Sequence, residues 1–299
     1  MKNKFQSIAA IIVTFNPELE SLNALVDKIK DQVDNVIIID NSELSQLNII
    51  ASNKVDIILL NENKGIATAQ NIGIKKAFEK GMQNVIFFDQ DTTPSDTLIF
   101  DLLQARIKAE KNNIEVAAIG PVHFDTDTNC HALFVKTTGN KLFLLPPDFD
   151  EEYLICDFVI SSGCLIKSST LKKVGLMEDE LFIDCVDIEW GFRAKSLGMS
   201  CLVANSAHVY HKIGDKPLMI LNRALTTHSP IRHYYFYRNF YLLMKREYVP
   251  LVWKTHVFIK SCIQACMFSL FLSPRIQHLK MIIKGVYHGI TGRLGKYEK

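Results

Sequence analysis

The stretch at residues 8–15, IAAIIVTF, constrains this chain more than any other. It is apolar except for Thr14 and rich in isoleucine. An apolar run without polar alternation is the mark of a strand covered on both faces, because a half-solvated strand alternates. Helical signals follow at once. Asn16 stands at a cap position, Pro17 at the first helical position, and Glu18 and Glu20 in the first turn. Each residue type is favoured at a helix N-terminus. Leu19, Leu22, Leu25, Val26, Ile29 and Val33 then share one helical face.

The alternation continues. Residues 35–40 predict a second strand ending in Asp40-Asn41, and residues 55–60 a third. The turn Asn63-Lys64-Gly65 opens a helix running to about Lys80, which Gly81 ends. Residues 85–88 predict a fourth strand, running into Asp89-Gln90-Asp91. Strand, helix, strand, strand, helix, strand specifies an α/β fold, a Rossmann-like, mostly parallel sheet with helices on its faces. Ligands bind such sheets beyond the carboxyl ends of the strands. Phe15, Asp40, residues 61–63 and residues 89–91 all fall there, which points to a nucleotide-type site. Further on, short strands are expected at 117–121, 142–145, 158–160, 164–166, 201–203 and 209–211, and a helix at 187–197. Beyond Pro217 the pattern is helical, broken near Pro230, Pro250 and Pro274.

Charge divides the 299 residues unevenly. Between Lys212 and Lys299 there are 15 Lys and Arg against 3 Asp and Glu, whereas residues 1–211 hold 19 against 29. We therefore expect an acidic body at 1–215 and a basic, aromatic helical extension at 216–299 that faces something anionic. The extension interleaves Trp, Tyr and Phe with Lys and Arg, as interfacial helices do, so an anionic membrane surface is its expected partner. Packing on the body is the alternative. No nucleic-acid-binding module is recognisable, and no nucleic-acid partner is expected. No segment reaches the ~18 uninterrupted apolar residues of a membrane span. The N-terminal apolar run leads into a helix start rather than a cleavage site, so a signal peptide is not expected. Seven cysteines without a CxxC pair argue against a disulfide framework and fit a reducing, cytoplasmic setting, peripheral on the inner face of the membrane.

Three groups of residues carry chemistry. Asp89 and Asp91 flank one residue at a strand end, where two carboxylates can hold a Mg²⁺ or Mn²⁺ ion and with it a diphosphate. Asp184, Asp187 and Glu189 gather at a helix start, where the dipole favours them. Asp187 is the candidate general base, Trp190 a candidate platform for a sugar ring, and Glu189 and Arg193 either acceptor-orienting groups or an i,i+4 ion pair. His211, at the end of an element, is a candidate third metal ligand. Asn63, Gly65 and Asn71 belong to a run of small and polar residues that is not GxGxxG. We count them as candidate donor-binding residues, with tight helix packing as the other reading.

The motifs together resemble family 2 glycosyltransferases of the GT-A fold, especially bacterial rhamnosyltransferases. The matching stretches are IIVTFNP (11–17), IIIDNS (37–42), NENKGIATAQNIGI (61–74), FFDQDTTP (87–94), SSGCLIK (161–167), LFIDCVDIEWGFRAKSLG (181–198) and HKIGD (211–215), within residues 8–245. The resemblance implies nucleoside contacts from Thr14 and Asp40, a DxD pair at Asp89 and Asp91 with Asp91 the firmest metal ligand, and Asp187 as base. Many members carry Glu-Asp at the base motif; here the pair is Val186-Asp187. The implied reaction is inverting transfer from dTDP-L-rhamnose to a lipid-linked or growing surface polysaccharide. A UDP-hexose or UDP-galactofuranose donor fits the same motifs. A sugar nucleotidyltransferase would carry a glycine-rich, basic loop after the first strand, which IIVTFNPELE lacks. A non-catalytic assembly subunit would not need all of Asp40, Asp89, Asp91 and Asp187.

Overall fold

Strand β1 (Ile8–Thr14) lies inside a ten-stranded mixed sheet and is buried along nearly its whole length. The computed structural model describes residues 6–47, 53–126, 130–211, 215–220 and 223–298, without side chains from 211 to 226. After β1 come α1 (Leu19–Ile29), β2 (Asn35–Asp40), β3 (Val55–Leu59), α2 (Ile66–Glu79), β4 (Asn84–Asp89), the two-residue β5 (Thr93–Pro94) and α3 (Leu98–Lys111). Parallel pairing in the order β3-β2-β1-β4 places the reversal of strand order at β1 and β4. A crevice opens at such a point.

Side chains alternate across β1. Ala9 and Ile11 enter one core with Ala67, Ala69 and Ile74 of α2. Ile8, Ala10 and Ile12 enter the other with Leu22 and Leu25 of α1 and Leu102 of α3. Two covered faces are what the unbroken apolar run requires.

The second half extends the sheet with β6 (Val116–Asp125), β7 (Cys130–His131), the separate hairpin β8 (Phe134–Thr138) and β9 (Lys141–Leu145), then β10 (Tyr153–Cys156) and β11 (Leu165–Lys167). Helix α4 (Ser168–Val174), a 3-10 turn at Asp179–Leu181, α5 (Val186–Ser196), β12 (Ser200–His211), the hairpin β13 (Asp215–Ile220) and β14 (Arg223–Thr227), and helices α6 (Pro230–Met244), α7 (Leu251–Phe271) and α8 (Arg275–Thr291) complete the chain. Strand β11 runs antiparallel between β4 and β6, so its N-terminal approach lies beside the carboxyl end of β4.

Several local expectations need correction. Helix α1 begins at Leu19 with Glu18 at the cap, because Asn16 takes a left-handed φ of 46° that Asn tolerates and turns the chain before the helix. No strand forms at 158–160. Strand β10 ends at Cys156, and Asp157 is drawn off the sheet by Thr137 and Lys195. The strands expected at 201–203 and 209–211 are one strand with an irregularity between Ala204 and His208. The segment after Pro217 is a hairpin, not a helix, and the register shift between Asp215 and Leu218 accommodates Pro217, which has no N–H to donate. Helix α6 packs into the main core through Phe240, Leu242 and Leu243, joined by Val249 and Trp253.

Candidate active site

The register puts Thr14 opposite Asp40 and Val13 opposite Asp89, so the ends of β2, β1 and β4 stand side by side. At the first pair, Asp40 Oδ1 accepts from Thr14 Oγ1 at 3.0 Å, Ser42 Oγ at 2.6 Å and Ser42 N–H at 3.2 Å. Burial works to raise the pKa of Asp40, but bonds from Ser42, Ser45 and Thr14 prevail and hold it below its usual value. Asn41, next in line, grips the turn before α2. It donates to Asn63 Oδ1 at 3.1 Å and accepts from Lys64 N–H at 2.8 Å, while Gly65 N–H donates to the same Asn63 oxygen at 3.0 Å.

At the end of β4, Gln90 accepts from Phe15 N–H at 2.8 Å and donates to Phe15 O at 3.3 Å. The residue between the two acids is thus tied to β1, and its neighbours Asp89 and Asp91 project into a cavity of about 730 Å³. Asp89 N–H donates to Ser162 Oγ at 3.3 Å, and that hydroxyl lies 2.6 Å from Thr92 Oγ1. Burial, then repulsion from Asp91 and Asp187, pushes Asp89 up to about 6, opposed by the nearby charge of Arg232.

Asp187 reaches the same cavity from the first turn of α5. Burial raises it to about 6. The backbone N–H groups of Ile188, Asp187 itself and Ser161 favour the anion, and Asp184 adds repulsion. The loop before it is strained: Phe182, Asp184 and Cys185 all have φ between 62° and 66°. Non-glycine residues hold such angles only where surroundings over-determine them, and here they do. Asn239 of α6 donates to the carbonyls of Leu181, Ile183 and Asp184 at 2.8–2.9 Å. Buried Arg238 donates to Leu181 O at 2.8 Å. The Phe182 ring stacks on Tyr235 at 4.9 Å, and its carbonyl accepts from Ile66 N–H at 2.7 Å.

These contacts give several of the candidate residues a structural role. Gly65, at φ 84°, is required because a Cβ there would stand 2.6 Å from the Phe182 ring and carbonyl. Asn71 exchanges bonds with Met177 O and N–H and also donates to Asp179, which fixes the loop entering the 3-10 turn. Thr14, Asn63, Gly65 and Asn71 build the site without lining this cavity. Trp190 is 3% exposed and donates Nε1–H to Gly175 O at 2.8 Å, so it forms apolar wall rather than an open platform. Glu189 is fully buried and accepts from Arg193 and from the Tyr248 hydroxyl. Arg193 also caps the carbonyls of Val174 and Leu176. That pair ties α4, α5 and the chain beyond α6 together, and neither residue lines the cavity. The side chain of His211 lies outside the described residues.

Sequence reasoning missed Gln90, Ser162, Asn239 and Arg232. Arg232 lines the cavity from the first turn of α6 and grips Asp184 at 2.9 and 2.5 Å. In the sequence it was one more charge of a basic tail. Among the described residues no group of three or more His, Cys, Asp or Glu could enclose a metal alone. Two carboxylates that repel each other still suit a cation whose other ligands are phosphate oxygens and water, as is usual for Mg²⁺.

Comparison with known proteins identifies the family. A family model described as glycosyl transferase family 2 matches residues 9–174. The chain is 33% identical over 293 residues to the dTDP-rhamnosyl transferase RfbF of Shigella flexneri, covering 97% of each. Among solved structures it resembles GalNAc-T7, determined with UDP, GalNAc and Mn²⁺, with a TM-score of 0.55 and 15% identity over 72% of this chain and 44% of that one. It also resembles TarS of S. aureus, with a TM-score of 0.54 and 16% identity over 96% of this chain and 49% of that one. The chain thus spans about half the length of the solved structures it matches, and that likeness concerns the GT-A fold alone. By its sequence match along nearly its full length, and by acids set at the carboxyl ends of a GT-A sheet, this chain belongs to glycosyl transferase family 2 and is a glycosyltransferase.

Proposed function

We propose that the protein transfers L-rhamnose from dTDP-L-rhamnose, with inversion, to a hydroxyl of a lipid-linked or growing surface polysaccharide such as an O antigen or cell-wall glycan. The observation that carries the reading is the convergence of Asp89, Asp91 and Asp187 on one cavity at the ends of the central strands. The name of the Shigella relative supports the choice of donor. In this reading the nucleoside lies over the ends of β1 and β2, seated by Thr14 and Asp40. The diphosphate lies at the end of β4. There Asp91 and Asp89 hold a divalent cation, which supplies charge neutralisation for the departing diphosphate. Asp187 takes the proton of the acceptor hydroxyl as its oxygen bonds to the sugar's C1 and the C1–O bond to the diphosphate breaks. A carboxylate poised near 6 is mostly ionised at neutral pH yet basic enough to accept that proton.

The same reading places the protein at the inner face of the membrane, where a lipid-linked acceptor would be met. Between Tyr248 and Tyr297 there is no Asp or Glu. Leu251, Ile259, Ile263 and Leu270 of α7 and Ile276, Ile283 and Tyr287 of α8 are more than half exposed, beside exposed Lys260, Arg275 and Lys280. Apolar surface flanked by cations suits an anionic leaflet, whereas a second copy would set like charges together. Among the described residues no helix is long and apolar enough to cross a membrane, so the contact is one of lying on the surface. A panel of nucleotide sugars, assayed for binding and turnover with Mg²⁺ or Mn²⁺, tests the donor. Preference for dTDP-L-rhamnose supports the reading, and preference for a UDP-sugar replaces it.

A further inference from the structure

The cavity has a charge problem. Asp89, Asp91, Asp184 and Asp187 line it, the donor adds a diphosphate, and breaking the C1–O bond leaves one more negative charge on the β-phosphate. Arg232 is the one Lys or Arg among the described residues that line the cavity. We infer that Arg232 contacts the β-phosphate, holding it in the bound donor and taking up its charge as the leaving group departs. The inference rests on the glycosyltransferase reading and adds to it a residue from beyond the stretch that the family model matches.

Three observations support it. First, Asp184 holds the guanidinium through Nε and one terminal nitrogen, which fixes its plane on the wall of the cavity that Asp89, Asp91 and Asp187 also line. Second, the pair is not needed to hold its loop. Asn239 and Arg238, both fully buried, already bind the carbonyls of residues 181, 183 and 184. The Arg232 side chain is 37% exposed, and ion pairs that open to solvent add little stability. Third, a guanidinium stays charged at any working pH and matches phosphate geometry bidentately. In the transfer step the acceptor oxygen bonds to C1, its proton passes to Asp187, and the C1–O electron pair leaves with the diphosphate beside Arg232.

The test compares nucleoside diphosphate with monophosphate, since only the diphosphate has the group in question. Binding of dTDP and dTMP to the full chain at one Mg²⁺ concentration is measured for wild type, Arg232→Met and Arg232→Lys. Loss of a charge-assisted contact predicts a roughly 10–100-fold weaker dTDP affinity in Arg232→Met. Affinity for dTMP should stay within about threefold, which also shows that the site is folded, and Arg232→Lys should recover part of the loss as a point charge. Measurable binding with equal loss for both nucleotides, or no loss for either, overturns the inference. Should Arg232→Met bind neither, Arg232→Lys decides by the same criterion: selective loss supports, equal loss overturns. UDP and UMP are run in parallel. A wild type that ignores thymidine nucleotides but binds uridine ones shows the donor reading to be wrong, and Arg232 is then judged on the uridine pair.

Discussion

Replacing Asp187 with Asn separates chemistry from stability. The carboxyl is partly buried and raised from 3.8 to about 6. A group whose folded pKa exceeds its unfolded one destabilises the fold once it ionises. That penalty is absent well below pH 4, grows as pH rises from about 4 to 6, and is complete above. The shift sets an upper bound of roughly 3 kcal/mol, lowered by solvent screening at a partly exposed site. Asp187→Asn should therefore melt no lower than wild type at pH 7.5, and above it if the bond from Ile188 N–H at 2.9 Å survives on the amide oxygen. Turnover should behave oppositely. An amide cannot accept the proton, and loss of a general base costs roughly 10²–10⁴-fold in kcat. Wild-type kcat should fall about tenfold per pH unit below about 6 rather than below 4. The assays are calorimetric donor binding, thermal unfolding and single-turnover transfer across pH 5–8. Near-normal single-turnover transfer by a fully folded Asp187→Asn would refute the argument.

Asp91→Ala should abolish transfer, Asp89→Ala should weaken donor binding, and EDTA should silence the wild type; full activity in chelator contradicts the metal assignment. Asn239→Leu strands three carbonyls behind the strained loop and should cost about 1–3 kcal/mol in unfolding free energy, with a drop in kcat larger than the change in donor affinity. Anionic liposomes should carry the protein upward on flotation at low salt and release it as salt rises, and Ile263→Glu with Ile283→Glu should prevent flotation without loss of soluble turnover. Flotation unchanged by those substitutions would show that the α7–α8 face is not the contact.

The first ninety residues were legible because doubly covered strands leave apolar runs and because Asp40, Asp89 and Asp91 follow directly on strand ends. The wall facing them was not. The left-handed residues Phe182, Asp184 and Cys185 are not glycines, so nothing local marks the bend that aims Asp187. Its anchor Asn239 is 55–58 positions away, a distance over which spacing carries no signal. The same long-range contacts explain Gly65 and Asn71, whose partners Phe182 and Met177 lie across the fold. Trp190 and Glu189 sit near Asp187 in sequence, but the helix turns Glu189 into the core and leaves Trp190 as buried wall, and only packing decides which side faces the cavity. The tail read as one basic extension, yet Arg238 and Asn239 are fully buried and Arg232 reaches the site.

The central claim is a single displacement at the sugar carbon, driven by one base opposite the diphosphate. It is tested most directly by NMR of the product formed by the full chain from dTDP-L-rhamnose and a saccharide acceptor with Mg²⁺. The account predicts a rhamnoside of inverted anomeric configuration, formed by wild type and lost in Asp187→Asn. A product that retains the donor's configuration, or an Asp187→Asn enzyme that makes the inverted product at wild-type rate, would contradict it.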